Sequence, residues 1–194
     1  MTASQSELCP DATLADAVAR LQADERAGAE RVQALSLDFP ADARLHFLHG
    51  SLRAAAGAYD EALQSMRRAV ALDPRFAVAR FQLGLLELSS GEAAAARATL
   101  EPLDEGGGED ALSLFARGLR RLASDDLASA ADLLRRGIAA GGGEPLIRRD
   151  MQMMLERIEA ESPPPTQQPQ PEPEQEISAA HLLLRQYAAK PTRH

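Results

Sequence analysis

The sequence predicts an all-α fold of antiparallel helix pairs. Three observations carry this: a 34-residue register, apolar residues at helical spacing inside it, and a core composition suited to close helix contact. Gly50, Gly84 and Gly118 are spaced 34 residues apart. Ala62, Ala96 and Ala130 stand twelve residues after them, and Phe47, Phe81 and Phe115 three residues before. Met66, Leu100 and Leu134 follow sixteen residues after each glycine. Four position classes kept in step over three units mark a repeated helix–turn–helix element.

Each element follows from its local sequence. First helices are expected at Asp42–Ala55, Ala77–Leu88 and Asp110–Ala123, where apolar residues recur at helical spacing. Gly57, Gly91 and the Asp125–Asp126 pair then interrupt the pattern at one point in each unit, as a tight turn requires. Second helices are expected at Tyr59–Leu72, Glu92–Leu103 and Leu127–Ala139. Asp73-Pro74, Gly106–Gly108 and Gly141–Gly143 close the three units. The mid-helix glycines and alanines remove bulk where paired backbones approach, which justifies a glycine costing roughly 1 kcal/mol of helix propensity.

The flanks extend the array. Thr13–Ala23 and Arg26–Leu37 read as a degenerate first pair, with Asp16 and Gly28 in the slots of the glycine and the alanine. Glu144–Glu161 reads as a capping helix whose apolar stripe is Ile147, Met151, Met154, Leu155 and Ile158. The expected division is a flexible N-terminus at 1–10, a helical array at 11–161 and a Pro/Gln/Glu-rich linker at 162–176. The array comprises a first unit at 11–40, repeats at about 43–76, 77–110 and 111–144, and the capping helix at 144–161. Six prolines in Ser162–Glu176 predict an extended segment. At ~3.1 Å per residue it would reach roughly 45 Å. A short amphipathic helix at 177–189 follows, with Ile177, His181, Leu184 and Tyr187 as a docking motif.

Composition narrows the function classes. The net charge of −8 disfavours nonspecific contact with nucleic acid or anionic lipid. Seven aromatics, none of them Trp, leave Ala and Leu as the main core builders. Cys9 is the single cysteine, so no internal disulfide forms, and it is expected in a mobile N-terminal stretch as an incidental thiol. No uninterrupted apolar stretch is long enough for a bilayer, and Met1–Pro10 lacks a basic start followed by an apolar run. Cytoplasmic localisation is the expectation, in a bacterium of high genomic GC content by composition.

No catalytic constellation is found, and no cofactor is expected. His46 and His49 stand three apart on a helix, a spacing that suits two metal ligands. Asp42 is their only carboxylate at helical spacing, and packing is the preferred role. The glycine runs link helices and precede no Lys-Ser/Thr pair, so they are not phosphate loops. The pairs Arg67-Arg68, Arg120-Arg121, Arg135-Arg136 and Arg148-Arg149 read as solvated faces beside acids.

The stretch LHFLHGSLRAAAGAYDEALQSMRRAVALDP, Leu45 to Pro74, resembles the tetratricopeptide repeat family. AVARFQLGLLELSSGEAAAARATL is a second match. DALSLFARGLRRLASDDLASAADLLRRGI departs from the pattern, with Asp125 at the turn glycine and Gly137 at a small alanine. The resemblance implies a right-handed superhelical solenoid of antiparallel helix pairs that binds protein partners. It also implies that the residue three before the repeat glycine points into a concave groove. Here that row is Phe47, Phe81 and Phe115, with Val78 and Leu112 one turn back and Leu85 and Leu119 one turn forward. The alternative is that these rings pack between repeats and are covered. The groove reading is adopted because three exposed phenylalanines would form a large patch.

The expected function is an adaptor or scaffold that holds an apolar helix or peptide in this groove, which the C-terminal helix would occupy in cis or in trans. The second reading is a chaperone for a secreted or membrane-destined bacterial client, because bacterial secretion chaperones with these repeats are similar in length and layout. The Lys and Asn residues by which co-chaperones of this family grip a C-terminal carboxylate have no counterpart in the row.

Overall fold

A computed structural model describes residues 8–105 and 107–161. The tail motif Ile177, His181, Leu184 and Tyr187 lies outside the described residues, as does the linker. Among the described residues the fold is all-α, as the register requires. Nine α-helices follow one another: α1 Asp11–Ala23, α2 Glu25–Asp38, α3 Ala43–Ala55, α4 Tyr59–Leu72, α5 Ala77–Ser89, α6 Ala93–Leu100, α7 Ala111–Leu122, α8 Leu127–Ala140 and α9 Pro145–Glu161. The helix expected to run to Leu103 stops at Leu100 and continues as a 3-10 turn over Glu101–Leu103. Pro102 is the cause. It offers no N–H to the helix ladder, and its ring crowds the carbonyl four residues back.

The described residues form two compact units, one up to Leu83 and one from Gly84 on, and the division falls inside α5. In the first unit α1 packs on α2, α2 on α3 and α3 on α4. Its core joins Ala17, Val32, Leu35 and Leu45 with the partly buried Leu14, Leu21, Phe39, Leu48 and Leu52. Gly28 brings the first pair together: a Cβ there would lie 2.5 Å from the backbone N and Cα of Leu21. In the second unit α6 packs on α7, α7 on α8 and α8 on α9. Leu100, Leu114, Leu119, Leu122, Leu134, Met151 and Ile158 are fully buried in it.

The repeat is written into the turns as well as the packing. Gly57, Gly91 and Asp125 all take positive φ, at 76°, 83° and 56°. The next residue in each case reaches back five positions. Ala58 N–H donates to Arg53 O at 2.9 Å, Glu92 N–H to Glu87 O at 2.8 Å, and Asp126 N–H to Arg121 O at 3.0 Å. Each is the helix-terminating motif in which a left-handed residue lets the chain satisfy the last carbonyls and reverse. Asp126 then caps α8, accepting from Ser129 N–H at 3.1 Å.

The start of the described chain departs from the sequence expectation. Cys9 is buried, 2% exposed, within the core of the first unit. Its N–H donates to Asp42 Oδ2 at 2.9 Å, and its carbonyl accepts from Arg44 Nη2 at 2.7 Å. Asp42 also accepts from Arg44 N–H and Arg44 Nε, at 2.9 and 3.0 Å, while capping α3. Burial works against the Asp42 carboxylate, yet these hydrogen bonds hold its pKa below the ordinary value. No helix among the described residues is long and apolar enough to cross a membrane.

Candidate partner-binding site

The residues expected to line the groove fall into two groups by burial. Phe81 and Leu85 of α5 and Phe115 and Leu119 of α7 are buried. Phe47 of α3, Val78 of α5 and Leu112 of α7 are half-buried. The phenylalanine row is therefore not an exposed trough: two of its three rings are core residues.

For Phe115 the reason is in its partner helix. Gly137 of α8 has no side chain, and the Phe115 ring fills that space, with Cδ1 2.5 Å from where a Cβ would stand. Pairing a large residue with a glycine draws the ring inward, where burial of an aromatic side chain stabilises by about 1.5–3 kcal/mol. The absent alanine at position 137 was the visible signal of this exchange.

Phe47 keeps an open side. Its ring meets that of Phe76, which precedes α5, with centroids 5.1 Å apart and planes tilted by 54°. Both rings are half-buried. This geometry suits aromatic pairs electrostatically, and it presents apolar area at the surface of the first unit. Phe76 was not part of the expected row because it stands outside the helical register.

The two histidines are held apart by different partners. His46 Nε2 lies 3.0 Å from Pro40 O. His49 Nδ1 lies 2.9 Å from the Oγ of the buried Ser65, and its Nε2 accepts from Arg53 Nε at 3.2 Å. Arginine only donates, so Nε2 is the acceptor and the proton sits on Nδ1, directed at Ser65. The imidazole therefore gives a hydrogen bond to the hydroxyl instead of drawing a proton from it, and Ser65 is not activated as a nucleophile. Burial, then the Arg53 charge, pushes the His49 pKa down. Among the described residues no cluster of three or more His, Cys, Asp or Glu could hold a metal ion.

The arginine pairs meet acids at several points. Arg135 reaches Glu159 at 3.0 Å, and Arg136 reaches Glu109 at 2.7 Å. The densest meeting lies in the second unit, where Arg117 and Arg120 both engage Asp104. There, α6, the 3-10 turn and α7 border an open cleft of about 490 Å³. This cleft was missed from sequence, because it depends on the turn at Pro102 bringing Asp104 against α7.

The tetratricopeptide repeat family model matches residues 53–114. Two solved structures share the fold. One is MamA 41-end from Desulfovibrio magneticus RS-1, with a TM-score of 0.56 and 14% identity, covering 82% of this chain and 94% of that one. The other is the MamA RS-1 ArsTM double mutant, also with a TM-score of 0.56 and 14% identity, covering 83% of this chain and 88% of that one. No curated protein matches the chain. The repeats support a protein–protein interaction module. The 34-residue register, the repeated turns and the family match agree on tetratricopeptide-type repeats within residues 53–114.

Proposed function

We propose that the protein is an adaptor that binds an apolar helix or peptide of another protein, and that the surface around Phe47 is a principal contact. The observation that carries this is the tilted Phe47–Phe76 pair, two half-buried rings side by side. Partly exposed aromatics give large contact area at little entropic cost and are frequent anchors of interfaces. Val78 and Leu112 are the other members of the expected row that keep some exposure. Phe81, Phe115, Leu85 and Leu119 support the fold from within, so their role in binding is indirect.

The test is capture of partners from the native cell by wild-type protein, Phe47→Ala and Phe81→Ala. Phe47→Ala should lose the partner and keep the helical melting transition, whereas Phe81→Ala should lose stability first. Partner capture undiminished by Phe47→Ala would defeat the assignment. The identity of the captured protein separates scaffold from chaperone. Members of a stable assembly indicate an adaptor, and one unstable apolar client indicates a chaperone. Self-occupancy by the C-terminal segment belongs to the same reading: Ile177→Asp with Leu184→Asp should then strengthen capture by freeing the surface.

A further inference from the structure

The cleft in the second unit carries a different kind of recognition. Four guanidiniums, from Arg97, Arg117, Arg120 and Arg121, line it against two carboxylates, Glu101 and Asp104. This excess of positive charge sits in a chain whose net charge is −8.

The lining divides into a fixed layer and an available one. Asp104 is the centre of the fixed layer. Its Oδ2 accepts from Arg120 Nη1 at 2.8 Å, and its Oδ1 stands 2.7 Å from Arg117 Nε, an ion pair not aligned as a hydrogen bond. Arg117 is further tied to Gly108 O through Nη2, at 2.5 Å. Arg120 reaches Glu101 at 3.3 Å, while its buried Nε has no hydrogen-bond acceptor. Arg117 also reaches Glu109 at 3.7 Å, so the charges of this layer are paired, while the buried Nε of Arg117 likewise lacks a hydrogen-bond acceptor.

The available layer is Arg97 and Arg121. Arg97, on α6, is exposed and has no ion-pair partner among the described residues. Arg121, on α7, is 59% exposed, and its contact with Asp126 is long, at 3.6 Å. Both guanidiniums are thus open to an incoming anion, above an immobilised layer whose own charges are already paired. Ala94 and Ala98 add an uncharged wall.

We infer that this cleft binds an acidic segment of another protein, with carboxylate side chains seated on Arg97 and Arg121. A volume near 490 Å³ matches a few side chains and greatly exceeds a single small anion. Planar forked guanidiniums suit carboxylates, as Asp104 already demonstrates within the site. Nucleic acid would bring a dense line of phosphates against a chain of net charge −8, whereas a few carboxylates need meet only the local guanidiniums, so an acidic peptide is the anion that fits. The site is separate from the Phe47 surface, and neither depends on the other.

The experiment measures binding of a short fluorescein-labelled peptide of alternating Glu and Ala to the full chain, by anisotropy at low and at physiological salt. A Gln-for-Glu peptide and inorganic phosphate serve as comparisons. The Glu peptide should bind, the Gln peptide should bind at least about tenfold more weakly, and salt should reduce the affinity. Arg97→Gln with Arg121→Gln should lower affinity for the Glu peptide about tenfold or more without changing the melting temperature, since neither residue serves the Asp104 network. Equal binding of both peptides, or undiminished binding by the double variant, overturns the inference. Phosphate binding without peptide binding overturns it in favour of a small-anion site. Peptide binding that appears only when Glu172, Glu174 and Glu176 are replaced by Gln overturns the partner and assigns the cleft to the chain's own acidic segment.

Discussion

The ring of Phe115 occupies the space that a side chain on Gly137 would need. The two residues interlock α7 and α8, and neither can change alone. Gly137→Ala should therefore destabilise the protein by about 1–3 kcal/mol, despite a gain of roughly 1 kcal/mol in helix propensity. Gly84→Ala should behave alike, because Leu100, fully buried, has Cδ2 2.6 Å from the new Cβ. Gly50→Ala meets the flexible Met66, with Cγ at 3.0 Å, and the Ala62 carbonyl oxygen only at 3.3 Å, and should fall within about 1 kcal/mol of wild type. Urea midpoints check the order. Equal losses for Gly50→Ala and Gly137→Ala would show that the close approaches do not set the packing.

Asp125 holds a left-handed conformation that its two counterparts, Gly57 and Gly91, adopt without a side chain. Asp125→Gly should stabilise the second unit by about 0.5–1 kcal/mol, by removing the steric cost of that conformation. Thermal unfolding is the measurement. A lower melting temperature would mean that the Asp125 side chain stabilises the turn more than its backbone strain costs.

The Cys9–Asp42–Arg44 contacts anchor the start of the described chain. Asp42→Ala removes both the cap of α3 and the acceptor of the Cys9 N–H, and should cost about 2–4 kcal/mol. Burial, then the Asp42 charge, raises the Cys9 thiol pKa, so the folded protein should resist alkylation at neutral pH until denatured. Labelling of Cys9 in the native protein at the rate of an unstructured peptide would contradict the anchor. Asp42→Ala should speed that labelling.

Much of this architecture was legible from residue spacing alone. The positions of Gly50, Ala62 and their equivalents located the helix pairs, because close backbone approach admits only small residues. What spacing could not resolve was which way each phenylalanine faces. Phe81 and Phe115 share a register with Phe47, yet burial depends on the partner helix, as Gly137 illustrates. The Cys9 anchor was hidden for another reason: it joins residues 33 positions apart through a backbone N–H, which leaves no compositional trace. The arginine cleft was also hidden, since Arg97, Asp104 and Arg120 meet only after Pro102 ends α6.

His49 should give the protein a pH dependence near neutrality. Its pKa in the folded state is depressed, first by burial and then by Arg53. The unfolded chain therefore binds the proton more readily. Stability is complete above the ordinary imidazole value of about 6.5 and is lost as pH falls through the window below it, down to the depressed folded value. Protonation also removes the lone pair that accepts from Arg53. Melting temperatures between pH 7.5 and 5 should fall, and His49→Gln should flatten that slope. An unchanged slope in the variant would place the dependence elsewhere.

The most direct test of the proposed adaptor role is photo-crosslinking in the native cell. A photoreactive residue is placed at position 47, beside Phe76, and in a second variant at the exposed position Glu156 of α9. Position 47 should crosslink a defined protein partner and position 156 should not. Absence of any crosslink at position 47 above the level at position 156 would contradict the adaptor role.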